Sequence, residues 1–172
     1  PEPAPGRLAD ADTAADAGTG PQRAEPAWSG FRTLRVADVV VETPTVASIH
    51  LAATDGSPLP QARAGQYLTL RMPDAGRPAP VRSYSLSSAP GAGTYRISVK
   101  REPHGVVSGY LTTRLRPGAH VDVAAPRGEF VLGPGGGPVL LVSAGIGVTP
   151  VLAMLHELVH DMKFAAERVQ VV

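Results

Sequence analysis

The stretch Val81-Arg82-Ser83-Tyr84-Ser85-Leu86, with Pro80 before it and Ser87-Ser88-Ala89-Pro90 after it, decides the fold. In an extended strand, residues two apart share a face, so Arg82 and Tyr84 line one groove with a fixed cation and an aromatic ring. Outward from this strand the punctuation is that of an antiparallel β domain. Candidate strands run over Leu34–Glu42, Ser48–Ala53, Tyr67–Met72, Val81–Leu86, Tyr95–Lys100 and His120–Ala124. Turn material separates them, such as Asp55-Gly56-Ser57-Pro58, Asp74-Ala75-Gly76 and Pro90-Gly91-Ala92-Gly93. Short strands at this spacing favour a closed barrel or a sandwich. One segment departs from the pattern. Val106–Leu115 sets Val107, Tyr110, Leu111 and Leu115 at helical spacing, and Pro117-Gly118 stops it.

The two ends read differently. Pro1–Ala27 is rich in Ala, Pro, Gly and Asp, with Leu8 as its one large aliphatic side chain. It buries too little apolar surface to offset the entropy of ordering and is expected to be a disordered linker or tail. The β domain then spans 28–132. Gly133–Pro138 (GPGGGP) reads as a hinge, and Val139–Val142 as a parallel strand buried on both faces. The glycine turn Gly145-Ile146-Gly147 and a helix from Thr149 to His160 follow, with Pro150 in its first turn. Arg168–Val172 (RVQVV) opens like a second strand. Residues 133–172 are thus expected to be the β-α-β start of an α/β domain, truncated because a parallel sheet needs further strands.

Composition narrows the function. Sixteen basic against 15 acidic residues, a net charge of +1, offer no electrostatic case for nucleic acid or a membrane surface. No apolar run reaches the ~20 residues of a membrane helix, and no signal peptide is visible, so cytoplasm is the expected location. The chain has no cysteine, which excludes a disulfide framework, a thiol nucleophile and a Cys-ligated cluster within it.

Three stretches in order resemble the ferredoxin–NADP reductase superfamily. Arg82-Ser83-Tyr84-Ser85 is similar to its R-x-Y-[ST] flavin motif, and Gly105-Val106-Val107-Ser108 to its G-x-x-S phosphate motif. Gly145-Ile146-Gly147-Val148-Thr149-Pro150 is similar to the G-x-G-x-x-P turn of its nucleotide domain. Within the superfamily the wording is nearest the reductase part of flavohaemoglobins and oxidoreductase modules fused behind a MOSC domain. Ala64-Gly65-Gln66-Tyr67-Leu68 and Pro126-Arg127-Gly128-Glu129-Phe130 carry that likeness. The resemblance implies an all-β antiparallel flavin-binding barrel with one capping helix, followed by the start of an α/β nucleotide-binding domain. It implies FAD as cofactor, NADH or NADPH as donor in the intact protein, and an iron–sulfur or haem protein or domain as acceptor. FMN stays open, because the reductases that pair with ring-hydroxylating dioxygenases share R-x-Y-S and use it.

Residue chemistry fits those implications. Arg82 offers a planar fork to a phosphate. The resemblance implies that Tyr84 packs on the isoalloxazine, that Ser85 approaches N5, and that Gln66, Tyr67, Ser98, Val99 and Lys100 flank the flavin. The competing reading makes Tyr84 core and Arg82 and Lys100 solvated strand residues. Gly105–Ser108 at a helix start presents unpaired N–H groups and a positive dipole end to an anion, or is an ordinary capped helix. Gly145, Gly147, Thr149 and Pro150 suit a dinucleotide pyrophosphate, though Pro150 stands where the Rossmann motif has its third glycine.

His156-Glu157-Leu158-Val159-His160 matches H-E-x-x-H, the zinc-protease helix motif. Lys163 and Ala166 stand where the metzincin extension needs glycine and histidine, so no third ligand is in place and no metal is expected. The expectation is an NAD(P)H-dependent flavin oxidoreductase, poorly active as this fragment. Its rivals are a non-catalytic flavin-binding fragment and, further off, a zinc hydrolase.

Overall fold

The computed structural model describes residues 25–133, 138–160 and 169–171. Most of the expected tail and hinge therefore lies outside the described residues, as do Arg168 and Val172. Six strands form one antiparallel sheet: β1 (Phe31–Thr43), β2 (Val46–Ala53), β3 (Tyr67–Arg71), β4 (Val81–Ser85), β5 (Tyr95–Lys100) and β6 (His120–Arg127). Their order is β4-β3-β6-β1-β2-β5. At the two edges, Leu86 forms an isolated antiparallel bridge to Ile97, and the Ser87 N–H donates to the Arg96 carbonyl at 2.8 Å.

Alternation explains the strands. In β5, Tyr95, Ile97 and Val99 are buried while Arg96, Ser98 and Lys100 face outward. In β3, Leu68 and Leu70 point inward between Tyr67, Thr69 and Arg71. The inward sets of β1, β2, β3, β5 and β6 meet in one core, which includes Leu34, Ile49, Leu51, Leu70, Ile97 and Val123. A fully buried Leu or Ile in such a core contributes about 1.5–3 kcal/mol. Helix α1 (Val106–Thr113) enters the same core through Val107 and Leu111, four residues apart on one face.

Several boundaries differ from the sequence reading, and three of them have a plain physical reason. β1 begins at Phe31 because its first residues pair with β6, Phe31 to Ala124, before β2 takes over. β6 continues through Pro126 to Arg127, and its register with β3 shifts between Tyr67 and Thr69, so the proline sits at an irregularity that needs no ladder donor. α1 stops at Thr113, because the Arg114 and Leu115 N–H groups both close on the Tyr110 carbonyl.

The later part forms β7 (Val139–Leu141), a 3-10 turn (Gly145–Gly147), α2 (Val148–His160) and β8 (Val169–Val171). β7 and β8 pair in parallel, as expected. The expectation that Val139–Val142 is buried on both faces fails in part: Leu141 is buried, but Leu140 is 61% and Val142 63% exposed. A second core joins Leu141 to Val151, Met154 and Leu158 of α2, and to Ala64 from the loop before β3.

Candidate functional site

On β4, Arg82 pairs with Leu70 and Tyr84 with Leu68 across the ladder to β3. Both therefore stand on the sheet face that carries the core leucines, as strand geometry requires. Tyr84 is half-buried and packs on the core. Burial pushes its phenol above the usual range, and the positive charge of Arg82 pulls it back. Arg82 is exposed, and its guanidinium donates to the Val81 carbonyl at 2.7 Å. Among the described residues no carboxylate pairs with it. Ser83 and Ser85 stand on the other face, where the Ser83 hydroxyl lies 3.0 Å from that of Thr69, and Ser85 pairs with Tyr67.

Gly105 caps α1 at its N-terminus. A Cβ there would collide with Ser108 Oγ and come within 3.0 Å of Glu102 Cβ, so the turn has room for glycine alone. The Glu102 N–H donates to Ser108 Oγ at 3.1 Å, and that hydroxyl donates to the Gly105 carbonyl at 3.3 Å. Ser108 is 8% exposed. Its side chain is spent on shaping the turn, which leaves the first-turn N–H groups of Val106, Val107 and Ser108 as donors. Val99 and Val107 lie in the core, so only their backbones are open to a ligand. Among the described residues no hydrogen bond links Arg82–Ser85 with Gly105–Ser108.

A cleft of about 540 Å³ does bring other candidates together. Ser98 and Lys100 line it from β5, and Gly145 and Thr149 from the turn into α2. Gly145 has φ +54°, and a Cβ on Gly145 or Gly147 would meet nothing within 4 Å, so the turn faces open space. Thr149 is 7% exposed and donates to the Ile146 carbonyl at 3.1 Å, which fixes the helix start. Pro150 follows in the same first turn. His156 lines the cleft from the exposed side of α2. Among the described residues no group of three or more His, Asp or Glu can hold a metal ion.

Arg96, Ser48 and Glu42 also line this cleft, and sequence reading singled out none of them. The one available signal was alternation: Arg96 shares the outward face of β5 with Ser98 and Lys100. Ser48 and Glu42 reach the cleft through strand pairing that short-range pattern does not encode.

The donor set suits a phosphate-bearing aromatic ligand: an arginine with no acidic partner among the described residues, a half-buried ring beside it, and free N–H groups at a helix start. A β sheet so furnished is the build of a flavin-binding module. The family model described as "Oxidoreductase FAD-binding domain" matches residues 41–132, and the chain belongs to that family. The flavohemoprotein of Pseudomonas aeruginosa is 44% identical over 135 residues, 78% of this chain and 34% of that protein. The flavohem-like FAD/NAD binding domain of nitric oxide dioxygenase from Vibrio cholerae superposes with a TM-score of 0.75 at 36% identity, covering 81% of this chain and 60% of that one. Phthalate dioxygenase reductase, described as modular for electron transfer from pyridine nucleotides to [2Fe-2S], gives 0.69 at 27% identity, covering 83% and 51%. The chain spans about a third of the length of the curated relatives it matches. Among the described residues no helix is long and apolar enough to cross a membrane.

Proposed function

We propose that this chain is the FAD-holding part, with the opening of the pyridine-nucleotide part, of an oxidoreductase that passes electrons from NADH or NADPH to an iron–sulfur or haem acceptor. In the whole protein it works in the cytoplasm. The observation that carries the reading is the juxtaposition of Arg82, with no acidic partner among the described residues, and the half-buried Tyr84 on one face of β4.

In this reading Arg82 and the first-turn N–H groups of Val106, Val107 and Ser108 hold the cofactor's phosphates. Tyr84 packs on the ring, and the Ser85 hydroxyl donates toward N5. Ser83 braces the strand through Thr69. Ser98, Val99 and Lys100 flank the ring system, with Val99 using its backbone. Bound FAD supplies the exchange between two-electron and one-electron chemistry; the residues bind it, orient it and exclude water. Gly145, Gly147, Thr149 and Pro150 take the nucleotide pyrophosphate at the start of α2. The Leu86–Ile97 bridge supports reading the sheet as a barrel that closes on itself.

Reconstitution tests this. The purified chain should turn yellow with FAD at close to one flavin per chain, and bind FMN more weakly. Failure to bind either flavin stoichiometrically overturns the proposal.

A further inference from the structure

Arg96 stands opposite His50 in the β2–β5 register, on the outward face of β5. Its Nε donates to Ser87 Oγ at 3.2 Å, and its Nη2 donates to the Ser87 carbonyl. The Ser87 N–H in turn donates to the Arg96 carbonyl at 2.8 Å. One residue thus grips another by main chain and side chain together, and Ser87 is fully buried. Among the described residues Arg96 has no carboxylate partner, so the two Ser87 oxygens are what answer its charge.

The contact continues as a row of hydroxyls. Ser87 Oγ lies 2.9 Å from Ser98 Oγ, which lies 2.8 Å from Ser48 Oγ. Arg96 Nε takes a lone pair of Ser87 Oγ, whose hydrogen is shared between the Arg96 carbonyl at 3.3 Å and Ser98 Oγ. The row ends at Ser48, on the wall of the cleft that Ser48 and Ser98 share with Gly145 and Thr149.

We propose that Arg96 is a positioning residue for the flavin site. It locks the exit of the Arg82–Ser85 strand onto β5 and holds in place the hydroxyl row that reaches the cleft wall. Ser85 lies two residues before Ser87 on the same face, so its hydroxyl is placed by the same grip. Two oxygens are reached at once, which a planar fork does and a single ammonium does not. This rests on the flavin reading above.

The test uses the 172-residue chain with Arg96→Gln, Arg96→Lys and Ser98→Ala. In the flavin-free chain, Arg96→Gln should speed hydrogen exchange at the Ser87 amide about tenfold or more, and Arg96→Lys should not restore protection. In the FAD-loaded chain, both Arg96 variants should weaken binding about tenfold and shift the visible flavin band. Ser98→Ala interrupts the row and should shift the band, while the Ser87 amide, still held by the Arg96 carbonyl, stays protected from exchange. Should Arg96→Gln fail to fold, Arg96→Lys carries the same readings. Unchanged exchange at Ser87, or full rescue by lysine, overturns the proposal. A wild-type chain that binds no FAD overturns the function proposed above instead, and the exchange result still decides the grip.

Discussion

Tyr84 and Leu68 stand directly across from one another on β4 and β3, so a phenol shares its face with a leucine that has no exposed surface. Burial disfavours the phenolate and raises the Tyr84 pKa from 10.0, while Arg82 favours the phenolate and lowers it. Removing the cation leaves burial unopposed. Arg82→Ala should therefore move the Tyr84 titration to still higher pH, read by ultraviolet difference absorbance with Tyr84→Phe to assign the signal. A shift downward contradicts the pairing of charge and ring.

The same substitution tests the ligand. A lost charge-assisted bond to phosphate costs about 1.5–3 kcal/mol, so Arg82→Ala should weaken FAD roughly ten- to a hundredfold. His156→Ala, on α2, should leave FAD affinity near that of the parent chain. Equal small losses would show that Arg82 does not hold phosphate. Fluorescence titration with FAD measures both.

Ser108 and Gly105 shape one turn, and each is expected to fail alone. Ser108→Ala removes the acceptor of the Glu102 N–H and should cost about 1–3 kcal/mol in urea unfolding. Gly105→Ala drives a methyl into Ser108 Oγ and should cost about 1–3 kcal/mol by overpacking. A neutral Gly105→Ala would mean that the start of α1 is looser than its hydrogen bonds imply.

Tyr95 gives a stability signature at high pH. Burial pushes its phenol from 10.0 up to about 12, with Arg32 opposing, and its hydroxyl donates to the Pro60 carbonyl at 2.6 Å. The folded chain holds the proton where the unfolded chain has released it. That contribution is complete below pH 10, falls as pH rises, and is gone above about pH 12. Melting temperature should drop across that window, and less steeply in Tyr95→Phe, as followed by circular dichroism.

Hydride transfer should be slow in this chain alone. Positioning of two reactants supplies up to about 7–11 kcal/mol of a barrier. The described part after the sheet, proposed above to meet the pyridine nucleotide, offers one glycine turn, one helix and two paired strands, with Leu140 and Val142 uncovered. Dithionite should reduce bound FAD at once, whereas NADH or NADPH should do so many-fold more slowly than in full-length relatives. Stopped-flow absorbance decides it.

Much of this was legible from residue order. β5 runs from Tyr95 to Lys100 as alternation predicts, because each inward residue meets the core and each outward one does not. The groove of Arg82 and Tyr84 follows from strand period alone. What stayed hidden depends on partners far along the chain. The Ser48–Ser98–Ser87 row joins residues from β2, β5 and the segment after β4, and serine carries no periodic signal that sets such a register. Nor does residue order show that the Ser108 hydroxyl turns inward to Gly105, a choice made by three residues of backbone. The strand expected to end at Ala124 runs on through Pro126, which is a tolerated irregularity within it.

Gly65 has a further consequence. Its φ is +95°, and a Cβ on it would strike both the Phe130 carbonyl and the Met154 methyl of α2. Beside it Ala64 is a member of the second core. The loop before β3 and α2 thus meet at this point with bare main chain on one side and the Met154 side chain on the other. Together they act as a caliper whose jaws are the β5 face and the Gly145 turn. The spacing of those jaws rests on the close packing at Gly65, and any side chain there would force them apart.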